Sequence, residues 1–281
     1  MTRRDVSGPY GVVHVRSCTG GTNAEGSRPV WILLHQSPLS SRRFLPLLPV
    51  LGRWADVYAP DTPGYGDSDP TPPTWSVEEC AASLWSAVDA VTDGPVHLMG
   101  RATGSVLAVA MAAARLDSIQ HLVLHGLPVY TDQERQDRLA DFAPPYVLSS
   151  DGSHLDCIWR RITGEYPWAG PKLVTSMVAD YLAAGPDFAT AYRAMWRYPL
   201  ADGLAQVRRA ELPVTLLTGG RDRIAFMAER ARRVLPDAAE YVMPQATDFV
   251  AEQDPEGFAD VLRQVPGGVA RQGVPAPGTD H

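Results

Sequence analysis

Leu98-Met99-Gly100-Arg101-Ala102-Thr103-Gly104 is the stretch that decides the fold. An apolar strand, Val96-His97-Leu98-Met99, runs through a Gly-x-x-x-Gly turn into Ser105–Arg115, a helix rich in Ala and Val. A turn of this kind lifts its central residue above a parallel sheet, where it usually presents a catalytic serine. The residue lifted here is Ala102, which has no oxygen with which to attack anything.

Strands and helices alternate outward from this turn. Val30–Leu34 is a continuous apolar run ending at His35, the pattern of a strand buried on both faces. Ala55–Pro60 reads as the next strand, followed by the turn-rich segment Asp61–Ser68. Ser76 with Glu79 forms a capping box that opens a helix to about Val91. His121–His125 and Val214–Thr218 read as further core strands, Glu240–Met243 as the last strand and Asp254–Gln264 as a closing helix. The alternation implies an α/β fold, with a mostly parallel central sheet flanked by helices. Between about Tyr130 and Leu204 the strand rhythm stops and aromatic residues recur at helical spacing. That segment reads as a helical cap over the sheet's C-terminal edge, where open α/β folds bind ligands. The expected organisation is a core of residues 1–129 and 205–265, a cap of 130–204, and a disordered Gly- and Pro-rich tail of 266–281.

Composition narrows the function. At 281 residues the chain can bury one large core, and its 45% hydrophobic and 20% charged residues are ordinary for a globular protein. A net charge of −7 argues against a nucleic-acid partner, which would call for a basic patch. Cys18, Cys80 and Cys157 are widely spaced and read as buried apolar residues, neither a disulfide framework nor a zinc site. Met1–Tyr10 carries no apolar run and no segment is long enough to span a bilayer, so a cytoplasmic protein without membrane contact is expected. No His/Cys/Asp cluster has metal-ligand spacing and no Gly-rich loop cradles phosphate, so chemistry without cofactors is expected.

Four patterns carry a resemblance: His35-Gln36-Ser37-Pro38 after a strand, Asp61-x-x-Gly64-x-Gly66-x-Ser68, Gly100-x-x-x-Gly104, and Gly220-x-Asp222 after a late strand. In this order they resemble the α/β-hydrolase superfamily, which implies the α/β-hydrolase fold with a helical cap insertion. In that family the serine at the turn attacks, a histidine near the C-terminus takes its proton, and an acid orients the histidine. Position by position, Ala102 stands for the serine, Asp222 for the acid, and Asp248 within Pro244–Phe249 for the histidine. The resemblance also implies an oxyanion hole made by the backbone N–H groups of Gln36 and Thr103, which needs no serine side chain. A site with that hole and no nucleophile suits enolate chemistry: proton abstraction α to a carbonyl, then reprotonation, elimination or ring closure.

Asp248, near Asp222, is the candidate base. Two carboxylates sharing a poorly solvated site titrate with one apparent pKa raised. The plainer alternative is that Asp248 caps a turn or pairs with Arg221 or Arg223. His35, Ser37, Arg101, Ala102, His154, Trp159 and Trp196 are candidate substrate-binding residues. Among them, His35 shapes the oxyanion loop, while His154 and Trp159 could reach down from the start of the cap. His97, His121 and His125 lie in core strands and read as structural, and Ser105 points away along its helix.

These residues suggest a cofactor-independent, non-hydrolytic enzyme, an isomerase or epimerase, or else a lyase or cyclase, acting on a small-molecule or peptide intermediate of natural-product biosynthesis. Among members lacking the triad, the chain resembles the bottromycin-type peptide epimerases. That resemblance implies aspartyl Cα epimerisation beside an electron-withdrawing ring, with the substrate's own carboxylate as an alternative base. The rival readings are an inactive pseudo-hydrolase that binds a small molecule or peptide, and residual hydrolysis by water that Asp248 activates.

Overall fold

The computed structural model describes residues 1–20, 28–72, 74–142 and 144–265; the expected tail of 266–281 lies outside them. Eight strands form one sheet in the order β1-β2-β4-β3-β5-β6-β7-β8. In chain order they are β1 (Thr2–Gly8), β2 (Gly11–Cys18), β3 (Val30–Leu34), β4 (Asp56–Pro60), β5 (Val96–Arg101), β6 (Ile119–His125), β7 (Val214–Gly219) and β8 (Ala239–Met243). The β1–β2 and β2–β4 pairs are antiparallel and the pairings from β4 to β8 are parallel. This is the α/β-hydrolase fold with its sheet flanked by helices.

The period-2 alternation of side chains divides the core into two layers. Ile32 and Leu34 of β3, with Leu98, Leu122 and Leu216, pack against the elbow helix Thr103–Ala114 and the helix Val77–Asp89. Trp31 and Leu33, with Met99, Val123 and Leu217, pack against Phe258 and Leu262 of the helix Pro255–Gln264. Both layers are apolar, which is why β3 reads as an unbroken hydrophobic run. The capping box at Ser76 forms with both bonds, Glu79 N–H to Ser76 Oγ at 3.1 Å and Ser76 N–H to Glu79 Oε2 at 2.9 Å.

The N-terminal hairpin β1–β2 was not expected. Thr2–Gly8 is an almost wholly exposed edge strand, so no apolar face marks it in the sequence. Residues 130–204 contain the helices Asp132–Asp141, Ser153–Glu165, Pro171–Ala184 and Thr190–Arg197. The next helix, Leu200–Arg209, packs back on the elbow helix and returns the chain to the sheet. Of the cysteines, Cys80 is buried as expected and Cys18 partly so; Cys157 is exposed on the cap, which corrects its reading as a core residue. Among the described residues no helix is long and apolar enough to cross a membrane.

Candidate active site

The turn at residues 100–104 adopts the strained geometry the sequence suggests. Ala102 is held at φ 49°, ψ −113°, a region that L-residues rarely occupy. Its N–H donates to His125 O at 3.0 Å, and its carbonyl accepts from Ser105 N–H at 2.8 Å and from Ser105 Oγ at 2.5 Å. Ser105 is therefore committed to the turn, as expected. A Cβ at Gly100 would lie 2.1 Å from Gly104 O, and one at Gly104 would lie 2.4 Å from Leu34 O, so both glycines are required. Ala102 itself remains partly exposed at the tip.

Thr103 follows as the first residue of the elbow helix, and Gln36 lies in the turn after β3. Neither N–H has a hydrogen-bond partner among the described residues. The two segments are tied together, since Ser37 N–H donates to Thr103 Oγ1 at 2.6 Å. His35 fixes the turn that carries Gln36: its Nε2 accepts from Thr62 N–H at 2.9 Å and its Nδ1–H donates to Gln36 O at 3.0 Å. The ring is fully buried, and burial lowers its pKa despite the nearby Asp61 carboxylate. His35 is a neutral positioning group with both nitrogens occupied.

Asp222 and Asp248 do come together, but not as a facing pair. The Arg101 guanidinium lies between them, with Nη2 2.8 Å from Asp222 Oδ2 and 3.2 Å from Asp248 Oδ1. All three are buried, at 4 to 6% exposure. Gly126, at φ 61°, makes room for this cation, because a Cβ there would sit 2.3 Å from Arg101 Nη1. Of the plainer alternatives, a turn cap or a pair with Arg221 or Arg223, Arg223 does partner Asp248, through its backbone N–H. Asp248 pairs with Arg101, while its other oxygen accepts the backbone N–H of Arg223 at 3.0 Å. Burial pushes the Asp248 carboxyl above the usual range, Arg101 opposes that shift, and Asp222 reinforces it. His125, at the end of β6, is driven down to about 3 by burial and by Arg101, so it stays neutral and structural.

Residues of the helical segment 130–204 meet the loops beside this cluster through side chains to which sequence spacing gave no role. Tyr192 OH donates to Ser37 O. Tyr65 OH donates to Phe188 O and accepts from Ala191 N–H, both at 2.9 Å. Arg223 lies over the Tyr166 ring at 5.0 Å and pairs with Glu165 at 3.1 Å. Burial raises the pKa of Tyr166 and, strongly, that of Tyr192, leaving both as neutral hydroxyls. The repeated aromatics of the cap were visible in the sequence, but nothing there told which ones reach the sheet.

Other candidates are placed elsewhere. His154 accepts from Ser149 N–H at 3.3 Å and stacks on Tyr146, both within the cap. Trp159 is 38% exposed. Trp196 is buried and stacks on Tyr192, one side chain removed from Ser37. A cavity lined by His35, Gln36, Arg101, His125, Asp248 and Glu252 measures about 20 Å3, room for roughly one water. No residue of the segment 130–204 lines it.

One group of His and Asp side chains, His14, Asp61 and Asp67, has ligand atoms within 4.8 Å of one another. Arg16 already supplies positive charge there, 2.9 Å from Asp61 and hydrogen-bonded to Asp67. That set fits an arginine better than a cation.

A sequence profile of the Alpha/beta hydrolase family matches residues 25–261. Lipase LipV of Mycobacterium tuberculosis is 29% identical over 133 residues, 47% of this chain and 49% of that protein. Protein PHYLLO, chloroplastic, of Arabidopsis thaliana is 30% identical over 139 residues, 46% of this chain and 8% of that protein. The match thus spans about half the length of the lipase and a small part of the second relative. Solved structures agree in fold. A hydrolase from Pseudomonas aeruginosa PA01 superposes with a TM-score of 0.75 at 18% identity, covering 95% of this chain and 99% of that one. The enol-lactonase from Burkholderia xenovorans LB400 gives 0.72 at 13% identity, covering 94% and 100%. E-2-(Acetamidomethylene)succinate hydrolase gives 0.72 at 21% identity, covering 95% and 99%.

Proposed function

The chain belongs to the alpha/beta hydrolase family, and we propose that it is a non-hydrolytic member, in which the N–H groups of Gln36 and Thr103 hold the oxyanion of an enolate. The observation that carries this reading is the Ala102 backbone. A turn that costs roughly 1 to 3 kcal/mol to hold is kept with no nucleophile on it. What that turn still presents is the unpartnered N–H of Thr103, beside the segment that carries Gln36. Two such donors favour a developing negative charge on oxygen, each by about 3 kcal/mol in the transition state.

Asp248 is the base in this reading. Burial and the neighbouring Asp222 raise its basicity above that of an ordinary carboxylate, while Arg101 keeps the pair from repelling. The proton would leave the carbon α to the bound carbonyl, pass to Asp248, and return on the opposite face or initiate elimination or ring closure. The substrate class is a carbonyl compound with an acidified α-C–H, such as an aspartyl residue beside an electron-withdrawing heterocycle. The reaction takes place in the cytoplasm and needs no metal or organic cofactor.

One observation favours a second reading. Both oxygens of Asp248 already accept hydrogen bonds, one from Arg101 and one from Arg223 N–H. If these bonds persist on binding, the substrate supplies its own base, or the protein binds without turnover.

Incubation of an aspartyl-heterocycle peptide in deuterated water tests the proposal. Intact peptide should gain deuterium at Cα, and Asp248→Asn should abolish that gain. Exchange that survives Asp248→Asn assigns the base to the substrate, and tight binding with no exchange in the wild type favours a receptor. Robust release of acid from a p-nitrophenyl ester would refute both readings.

A further inference from the structure

The elbow helix is flanked by two cavities that share a wall. The first, about 20 Å3, lies against Thr103 and is lined by Tyr65, Trp75, Leu107 and Ala194. The second, about 300 Å3, opens between the two segments that lead into and out of the cap, Pro128–Tyr130 and Arg197–Leu200. Val106 and Met195 line both. Val106 is one helical turn beyond Thr103, a rise of about 4.5 Å. Met195 is unbranched and flexible, the side chain best suited to swing aside from such a position.

The larger cavity has a ligand's dimensions, at the lower end of roughly 300 to 1,000 Å3. Its inner walls are apolar, with Leu200, Leu204, Tyr198 and Val234, and its lining also includes the charged residues Asp132 and Arg135. Beside the elbow, Tyr192 and Tyr65 tie the helical segment to the loops below it. Along the elbow helix the two cavities meet at the side chains of Val106 and Met195.

We propose that the substrate carries a slender apolar tail that runs from the oxyanion at Thr103, between Val106 and Met195, into the cavity at the cap's hinges. This rests on the reading that the Thr103 N–H binds the head group. The substrate class is then narrowed to a carbonyl compound bearing an unbranched apolar substituent several carbons long, whose far end meets the charged lining of the hinge cavity.

Calorimetric titration with sodium n-alkanoates, from butanoate to decanoate, tests the route. The dissociation constant should fall by up to about fourfold per added methylene, then level off once the hinge cavity is full. Val106→Trp should remove that gradient. Ala201→Trp, on the exposed outer wall, should bring the plateau at a shorter chain, and it decides the matter should Val106→Trp fail to fold. No gradient in the wild type, or an unchanged gradient in a folded Val106→Trp protein, overturns the proposal. The n-alkanols separate it from its premise. Alkanols that match the alkanoates in gradient and affinity leave the tail route standing and remove the oxyanion head; butanoate binding with no gradient does the reverse.

Discussion

Ala102 holds a backbone conformation that its side chain does nothing to reward. Glycine occupies positive φ without penalty, so Ala102→Gly should raise unfolding stability by about 1 kcal/mol in urea titrations; a loss of stability would mean the turn is relaxed. Ala102→Ser should leave esterase activity at background, because no histidine stands where Asp248 does. Arg101 is the residue on which the buried acids depend. Arg101→Met leaves Asp222 and Asp248 without their cation and should cost about 3 to 5 kcal/mol near pH 7. Protonation relieves a buried carboxylate, so that cost should shrink as the pH is lowered toward 4. His125 works in the opposite sense. Its folded pKa of about 3 lies below the unfolded value of 6.5, so the unfolded chain binds the extra proton and stability is lost as pH falls through 6.5. Replacing it with Phe should flatten the pH dependence by about 1.4 kcal/mol per pH unit between pH 6 and 4; equal slopes would show that His125 is solvated. Sequence alone brought Asp222 and Asp248 together through family positions, but it read Arg101 as a substrate-binding candidate rather than as their counter-ion. Only the room above Gly126 shows that its guanidinium turns inward.

Elements buried on both faces were legible because each must be apolar all along. Val30–Leu34 is the clearest case, dividing Trp31 and Leu33 from Ile32 and Leu34 between two core layers. The edge strand Thr2–Gly8 was not, since an exposed edge strand needs hydrogen bonds rather than apolar residues. The cap was legible as a break in rhythm, whereas its docking depends on partners far apart in sequence, such as Ser40 Oγ with the buried Asp180 at 2.8 Å and Tyr65 with Phe188. Tyr65→Phe removes two such hydrogen bonds and should speed amide exchange in the helix Thr190–Arg197 several-fold while leaving β5 and β6 protected. Uniform acceleration across the sheet would mean that the cap and core open as one unit.

Across the whole molecule, the chain keeps the family's parallel sheet and its strained turn, with Ala102 at the tip of that turn. The sheet carries the elbow at the end of β5, and Ser37 N–H ties the turn after β3 to Thr103 beside it. Fold was readable from four short motifs because each marks a backbone constraint. Chemistry was only half readable, because what Asp248 can do depends on a cation contributed by another strand. The most direct measurement is of the two amides themselves, by following the 15N–1H resonances of Gln36 and Thr103 during titration with butanoate. The expected result is that both move downfield together with one dissociation constant, as two donors to one oxyanion. Shifts confined to one of them, or to residues away from the elbow, would contradict a shared oxyanion site.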